Sequence, residues 1–204
     1  LGKQVPLTGG LAGDYGAFVA EVDGLLGEDA LGRLAWELLD HQGLSAGIAT
    51  TDREGTAFSV VIAPPGVDRL FLESTGCNKV FDASFVDFEA ASQSRVFHFG
   101  YPPLLRRFYL NDGQQLVDLF RRLQGSGVAT SLDFSLPDAE GESGRVDWPE
   151  VLRRVLPHTD VFVPSLDELL QIMAAPRRTQ DDGRVEGSGP GDESLVDSIR
   201  KIGR

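Results

Sequence analysis

The residues Leu25-Leu26-Gly27-Glu28-Asp29-Ala30-Leu31-Gly32, with the pattern that follows them, constrain this chain more than any other stretch. A hydrophobic segment, residues 17–26, runs into a glycine and two acids. Beyond them Leu31, Leu34, Ala35, Leu38 and Leu39 recur at i, i+3, i+4, i+7 and i+8, which puts them on one face of a helix. Asp29 is placed to cap that helix, and Gly43 to end it in a left-handed turn. Strand, tight turn and helix follow from these residue types alone.

The alternation continues along the chain. Residues 56–63 and 69–73 are short β-rich runs around the turn Pro64-Pro65-Gly66, and read as a hairpin. With residues 47–51 they are expected to form a small sheet apart from the main one. Residues 96–99, 128–133 and 160–163 are brief apolar strands of the kind buried in a parallel sheet. Between and after them lie helical patterns. Leu116, Val117, Leu119, Phe120 and Leu123 precede a stop at Gly125, residues 148–156 begin with Pro149, and residues 165–173 follow the third strand. This order predicts an α/β sheet with helices on both faces. Residues 174–193 read as a loop and 194–202 as one last helix, and no solenoid period recurs.

Composition removes several classes of function. Net charge is −12 with no Lys/Arg run longer than two, which argues against a nucleic-acid or anionic-membrane partner. The one cysteine, Cys77, excludes an internal disulfide framework and a cysteine zinc site, and suits a reducing cytoplasm. No apolar run is long enough to predict a membrane span, and nothing near Leu1 is laid out like a signal peptide. Without an initiator Met, the chain is expected to begin inside a longer one. His41, His98 and His158 lack metal-ligand spacing, and His98, between Phe97 and Phe99, reads as a structural residue. Neither a nucleophile elbow nor a phosphate-loop lysine motif is present.

The wording of the first helix says more than its periodicity. The run GLLGEDALGRLAWELLDHQG, residues 24–43, resembles the early signature of the ribokinase-like (PfkB) carbohydrate kinases. The resemblance continues in order. Residues 68–78, ending in Gly76-Cys77-Asn78, stand where that family has a short β lid and then Gly-Ala-Asn. Residues 95–104, including Tyr101, are similar to its strand leading to a substrate-side loop. Ser131-Leu132-Asp133-Phe134-Ser135 lies where the family has Asp-Pro-Asn. Residues 160–169, closing on Ser165-Leu166-Asp167-Glu168-Leu169, lie where it has a strand and then Asn-x-x-Glu. Four collinear matches over about 150 residues are harder to obtain by chance than any single motif.

The resemblance implies a ribokinase-like α/β fold, a mainly parallel sheet flanked by helices with a small β-sheet lid. Residues 1–46 and 75–204 would form an incomplete core, with the lid, 47–74, inserted. It implies ATP-dependent phosphorylation of a sugar or sugar-like hydroxyl with Mg2+, and in some members a monovalent cation. Two alternatives stand beside it: a non-catalytic sugar-binding or regulatory relative, and a nucleoside kinase. The implied partner is a small sugar, and the implied assembly a homodimer through the lid.

The implied site residues each have a plain structural reading as well. Gly9 and Gly10 match the glycines that let backbone approach the sugar, yet Thr8-Gly9-Gly10 also reads as a simple turn. Asn78 can donate to and accept from a sugar hydroxyl, or serve only as a turn residue. Tyr101 lies on the substrate side by the same resemblance. Asp133 ends a strand where α/β sheets bind ligands, and is otherwise a turn or cap acid. Glu168 matches the family glutamate that organises magnesium through water, while Ser165-Leu166-Asp167-Glu168 is also a capping box. Ser135 and Ser165 replace two family asparagines, which weakens magnesium and phosphate handling. The family's base, an Asp in Gly-Ala-Gly-Asp, is expected beyond Arg204, so the 204 residues alone are expected to be inactive. Gly187-Ser188-Gly189-Pro190-Gly191-Asp192 comes too early to replace it, and Pro190 removes an amide an anion hole needs; it reads as loop and N-cap.

Overall fold

The computed structural model describes residues 4–5, 18–19, 21–67 and 69–174, and among them two parallel sheets, an antiparallel hairpin and a short antiparallel pair organise the chain. The chain divides into two units, Leu1–Asp87 and Phe88–Arg204. Gly9, Gly10, the 187–192 segment, the 194–202 helix and most of the 174–193 loop lie outside the described residues.

In the first unit, β1 (Gln4–Val5) pairs antiparallel with β2 (Phe18–Val19). Next, β3 (Asp23–Gly27), α1 (Ala30–His41) and β4 (Gly47–Thr51) form a parallel β-α-β unit with Leu25 opposite Ala49. The Asp29 carboxylate caps α1 by accepting from the Gly32 N–H at 2.7 Å. Gly43, at φ 73°, turns the chain out of the helix, and its N–H donates to the Asp40 carbonyl. Next comes the hairpin of β5 (Phe58–Ile62) and β6 (Leu70–Ser74), with Gly66 at φ 80° in its turn.

Two features of this unit differ from the sequence reading. Gly47–Thr51, expected beside the hairpin, pairs with β3 instead. A strand following a helix of this length can close a parallel pair with the strand before it. The apolar stripe of α1 is also open: Leu34 and Leu38 are 54% and 61% exposed. Periodicity shows that a helix has an apolar face, not what covers it. Both faces of the hairpin are open too, with Val60, Val61, Phe71 and Leu72 all exposed.

The second unit begins with α2 (Phe88–Gln93), followed by β7 (Val96–Phe99), α3 (Arg106–Ser126), β8 (Ala129–Leu132), α4 (Trp148–Val155), β9 (Val161–Phe162) and α5 (Leu166–Ala174). The strands form one parallel ladder in the order β7-β8-β9. Phe99, Leu132 and Phe162 share a ladder row and its covered face, where Phe99 meets the Phe108 and Phe120 rings of α3. Phe134 packs edge-on against Trp148 of α4 and Phe162. Phe108, Leu116, Phe120, Leu123, Leu152 and Val155 are fully buried here. Each such side chain contributes about 1.5–3 kcal/mol by leaving water. The neighbouring row, His98, Ser131 and Val161, faces the other way, and His98 and Val161 are exposed there.

Helix α3 carries a break. Asn111, Asp112 and Gly113 all have positive φ, and these are the residue types that tolerate the left-handed region. Arg154 braces the break by donating to the Asp112 carbonyl and to Gln114 Oε1. The helix runs through Gly125, the expected stop, and ends at Gly127 with φ 82°. Among the described residues, no helix is long and apolar enough to cross a membrane.

Candidate functional site

Parallel strands deliver their carboxyl ends to one edge, and the second unit places three loops there. After Phe99 the chain passes through Gly100 to Tyr101, whose backbone is left-handed at φ 56° and ψ 56°. An aromatic residue in that region is uncommon and strained, and such strain concentrates at functional positions. Pro102 and Pro103 lock the chain immediately beyond, and the Tyr101 ring is exposed.

After Leu132, the Asp133 N–H donates to the Phe99 carbonyl at 2.9 Å, extending the ladder by one bond. The half-buried Asp133 carboxylate accepts from the Phe134 N–H at 2.8 Å through Oδ1. Two residues on, the Ser135 hydroxyl is buried without a hydrogen-bond partner among the described residues, a cost that a bound polar group would relieve. After Phe162, the Val163 N–H donates to the Leu132 carbonyl, and the chain enters α5. There Ser165 and Glu168 form the expected capping box. The Ser165 N–H donates to Glu168 Oε2 at 2.6 Å, and the Glu168 N–H to Ser165 Oγ at 3.2 Å.

Tyr101, Asp133, Ser135 and Glu168 therefore follow the carboxyl ends of three adjacent strands. A bidentate pair joins two of the loops: Arg106 donates from Nε and Nη2 to the Glu142 carboxylate, holding that acid below its ordinary range. Sequence reasoning missed this pair, since its members lie 36 residues apart. His98 is placed by the Ser131 hydroxyl, 3.1 Å from its Nδ1.

Asn78 belongs to the first unit, in a short 3₁₀ turn, Gly76–Lys79, just beyond the hairpin. Its backbone N–H donates to the Thr75 carbonyl at 3.0 Å, while its half-buried side-chain amide makes no hydrogen bond among the described residues. The preceding Cys77 is buried, its thiol directed at the Leu25 carbonyl at 2.9 Å.

For magnesium the fit is poor. Among the described residues no three histidine, cysteine or carboxylate groups cluster to hold a metal. Glu168 already spends one oxygen on the capping box, and Ser135 and Ser165 offer hydroxyls where longer amides would reach further. For a nucleotide phosphate, the described starts of α1, α4 and α5 are each capped by a side chain of their own: Asp29, Asp147 and Ser165.

No family model matches the sequence, and no curated protein matches it. Solved structures do. A ribokinase from Giardia lamblia matches with a TM-score of 0.60 at 16% identity, over 91% of this chain and 50% of that one. The fold is ribokinase-like. A PfkB protein from Polaromonas matches with a TM-score of 0.62 at 14% identity, over 90% of this chain and 57% of the other. A fructokinase with bound ATP from Xylella fastidiosa gives 0.59 at 20% identity, over 74% of this chain and 46% of its own. The chain thus spans about half the length of the ribokinase-like structures it matches.

Proposed function

We propose that this chain is the sugar-recognising part of an ATP-dependent carbohydrate kinase. The observation that carries the reading is the set of Tyr101, Asp133 and Glu168 after three adjacent parallel strands of a ribokinase-like fold. The reaction transfers the γ-phosphoryl group of ATP to a sugar hydroxyl, giving a phosphate ester and ADP, and the hydroxyl proton goes to a base. No described residue is assigned the role of that base or of the phosphate-binding amides. Within this chain the tasks are to bind and orient. In the second unit, Asp133 is assigned a bond from a sugar hydroxyl and the Tyr101 ring an apolar face for sugar C–H groups; in the first, Asn78 is assigned a hydrogen bond with a sugar hydroxyl. Gly9 and Gly10, outside the described residues, are assigned to sugar binding by resemblance alone.

The β5–β6 hairpin is assigned the role of lid, and its open apolar faces support a homodimer built through it. A cytoplasmic location fits the single buried thiol. A second reading, a sugar-binding relative without turnover, is favoured by Ser135 and Ser165. Coupled ADP release by the full-length protein, with magnesium, ATP and a panel of sugars and nucleosides, tests both. Turnover of one sugar supports the kinase; sugar binding by calorimetry without turnover supports the second reading; turnover of nucleosides alone overturns the sugar assignment.

A further inference from the structure

A polar knot closes the base of the β5–β6 hairpin. Both oxygens of Asp29 take part. Oδ1 accepts from the Gly32 N–H at 2.7 Å and the Thr56 hydroxyl at 2.8 Å, and Oδ2 accepts from the Thr56 N–H at 2.7 Å. The hydroxyl has one proton, committed to Asp29, so its oxygen is free to accept from the Gly27 N–H at 3.0 Å. Thr56 is buried, and its hydroxyl thus joins the end of β3, the cap of α1 and the start of the hairpin.

From Thr56 the connection runs on to Asn78 without slack. The Gly55 carbonyl accepts from the Cys77 N–H at 2.7 Å. A Cβ on Gly76 would lie 2.3 Å from that carbonyl oxygen and 2.7 Å from the Ala57 nitrogen, so only glycine lets the strands meet so closely. Gly27 is as tightly held, its Cβ position 2.4 Å from the Thr56 nitrogen. The residue after Cys77 is Asn78.

We infer that Asp29 and Thr56 are positioning residues for Asn78, setting the turn from which its amide meets the sugar. This rests on the kinase reading of Asn78. A cap needs only the bond to Gly32; the bonds to Thr56 reach 27 residues along the chain and order a segment α1 does not require.

The test is a double-mutant cycle in the full-length protein, using the sugar it turns over best. Thr56→Val keeps the shape and removes the hydroxyl. It should raise the sugar KM about threefold, short of the effect of losing the Asn78 amide, with kcat little changed, and Thr56→Ser should restore KM. In an Asn78→Ala background, Thr56→Val should raise KM no further, because its effect passes through Asn78. Independent, multiplying effects would overturn the inference, as would an unchanged KM in Thr56→Val. Amide exchange at residues 77–80 separates the two ways of failing. If the wild type turns over no sugar in a panel of hexoses and pentoses, the kinase reading falls. Faster exchange at Cys77 in Thr56→Val would then still support the clamp, and unchanged exchange would overturn it as well.

Discussion

Arg106 grips Glu142 through two parallel bonds, Nε to Oε2 at 2.6 Å and Nη2 to Oε1 at 2.8 Å. The pair joins the chain after β7 to the chain after β8, 36 residues apart, with the Tyr109 hydroxyl also reaching Oε2. Both side chains are substantially exposed, so water screens much of the attraction. Glu142→Gln should therefore lower the melting temperature slightly in dilute buffer, with the difference shrinking as salt rises. Melts at low and high ionic strength check this; a loss that salt does not diminish would mean the contact acts through packing.

Asn78 offers a direct reading of the proposed site. Asn78→Ala in the full-length protein should raise the sugar KM about fivefold or more, as expected for one lost substrate hydrogen bond, with kcat nearly unchanged. An unchanged KM together with a lowered melting temperature would leave Asn78 as a turn residue only.

The break in α3 predicts an unusual pair of stability effects. Gly113 sits at φ 70° with its Cβ position 2.6 Å from Val151 Cγ1. Gly113→Ala should cost about 2–4 kcal/mol, from crowding and from alanine in the left-handed region. Val151→Ala alone should also destabilise, since Val151 is 1% exposed. Together they should cost less than their sum, because the second change makes room for the first. Urea titrations of the four proteins measure it, and strict additivity would show that backbone strain alone sets the cost.

Asp29 should leave a mark on acid stability. The Gly32 N–H, followed by the Thr56 donors, holds its carboxyl below the ordinary value of 3.8. A folded value under the unfolded one means that its contribution is full above 3.8 and is lost as pH falls through the lower folded value. Asn at position 29 cannot titrate, so Asp29→Asn should be less stable at neutral pH and should lose less between pH 4 and pH 2. Melting temperatures across that range decide it; parallel acid limbs for the two proteins would rule out the linkage.

What the sequence made legible was mostly local. The Asp29 cap, the Gly43 turn, the Pro64-Pro65-Gly66 hairpin and the reciprocal Ser165–Glu168 box each depend on residues within a few positions of one another. The three strands of the second unit were equally plain, because short apolar runs between turns have few other uses. The misses were distant or conformational. The choice of β3 as the partner of Gly47–Thr51 depends on how α1 returns the chain. The start of α3 at Arg106 was hidden because Asn111, Asp112 and Gly113 break its period. At the proposed site, resemblance pointed to Tyr101 and Asp133 but not to the left-handed backbone of Tyr101, and it gave no sign of the Arg106–Glu142 tie. Thr56 went unremarked because its partners, Gly27 and Asp29, lie nearly thirty residues earlier.

The hairpin carries one more consequence. Its two strands bury neither face, so closing it gains little from the hydrophobic effect and rests chiefly on its ladder bonds. During synthesis β5 and β6 leave the ribosome before the second unit exists, and they present Phe58, Val60, Leu70 and Leu72 to whatever is near. Chaperone demand and yield should therefore follow the hairpin, residues 58–74, more closely than the buried core.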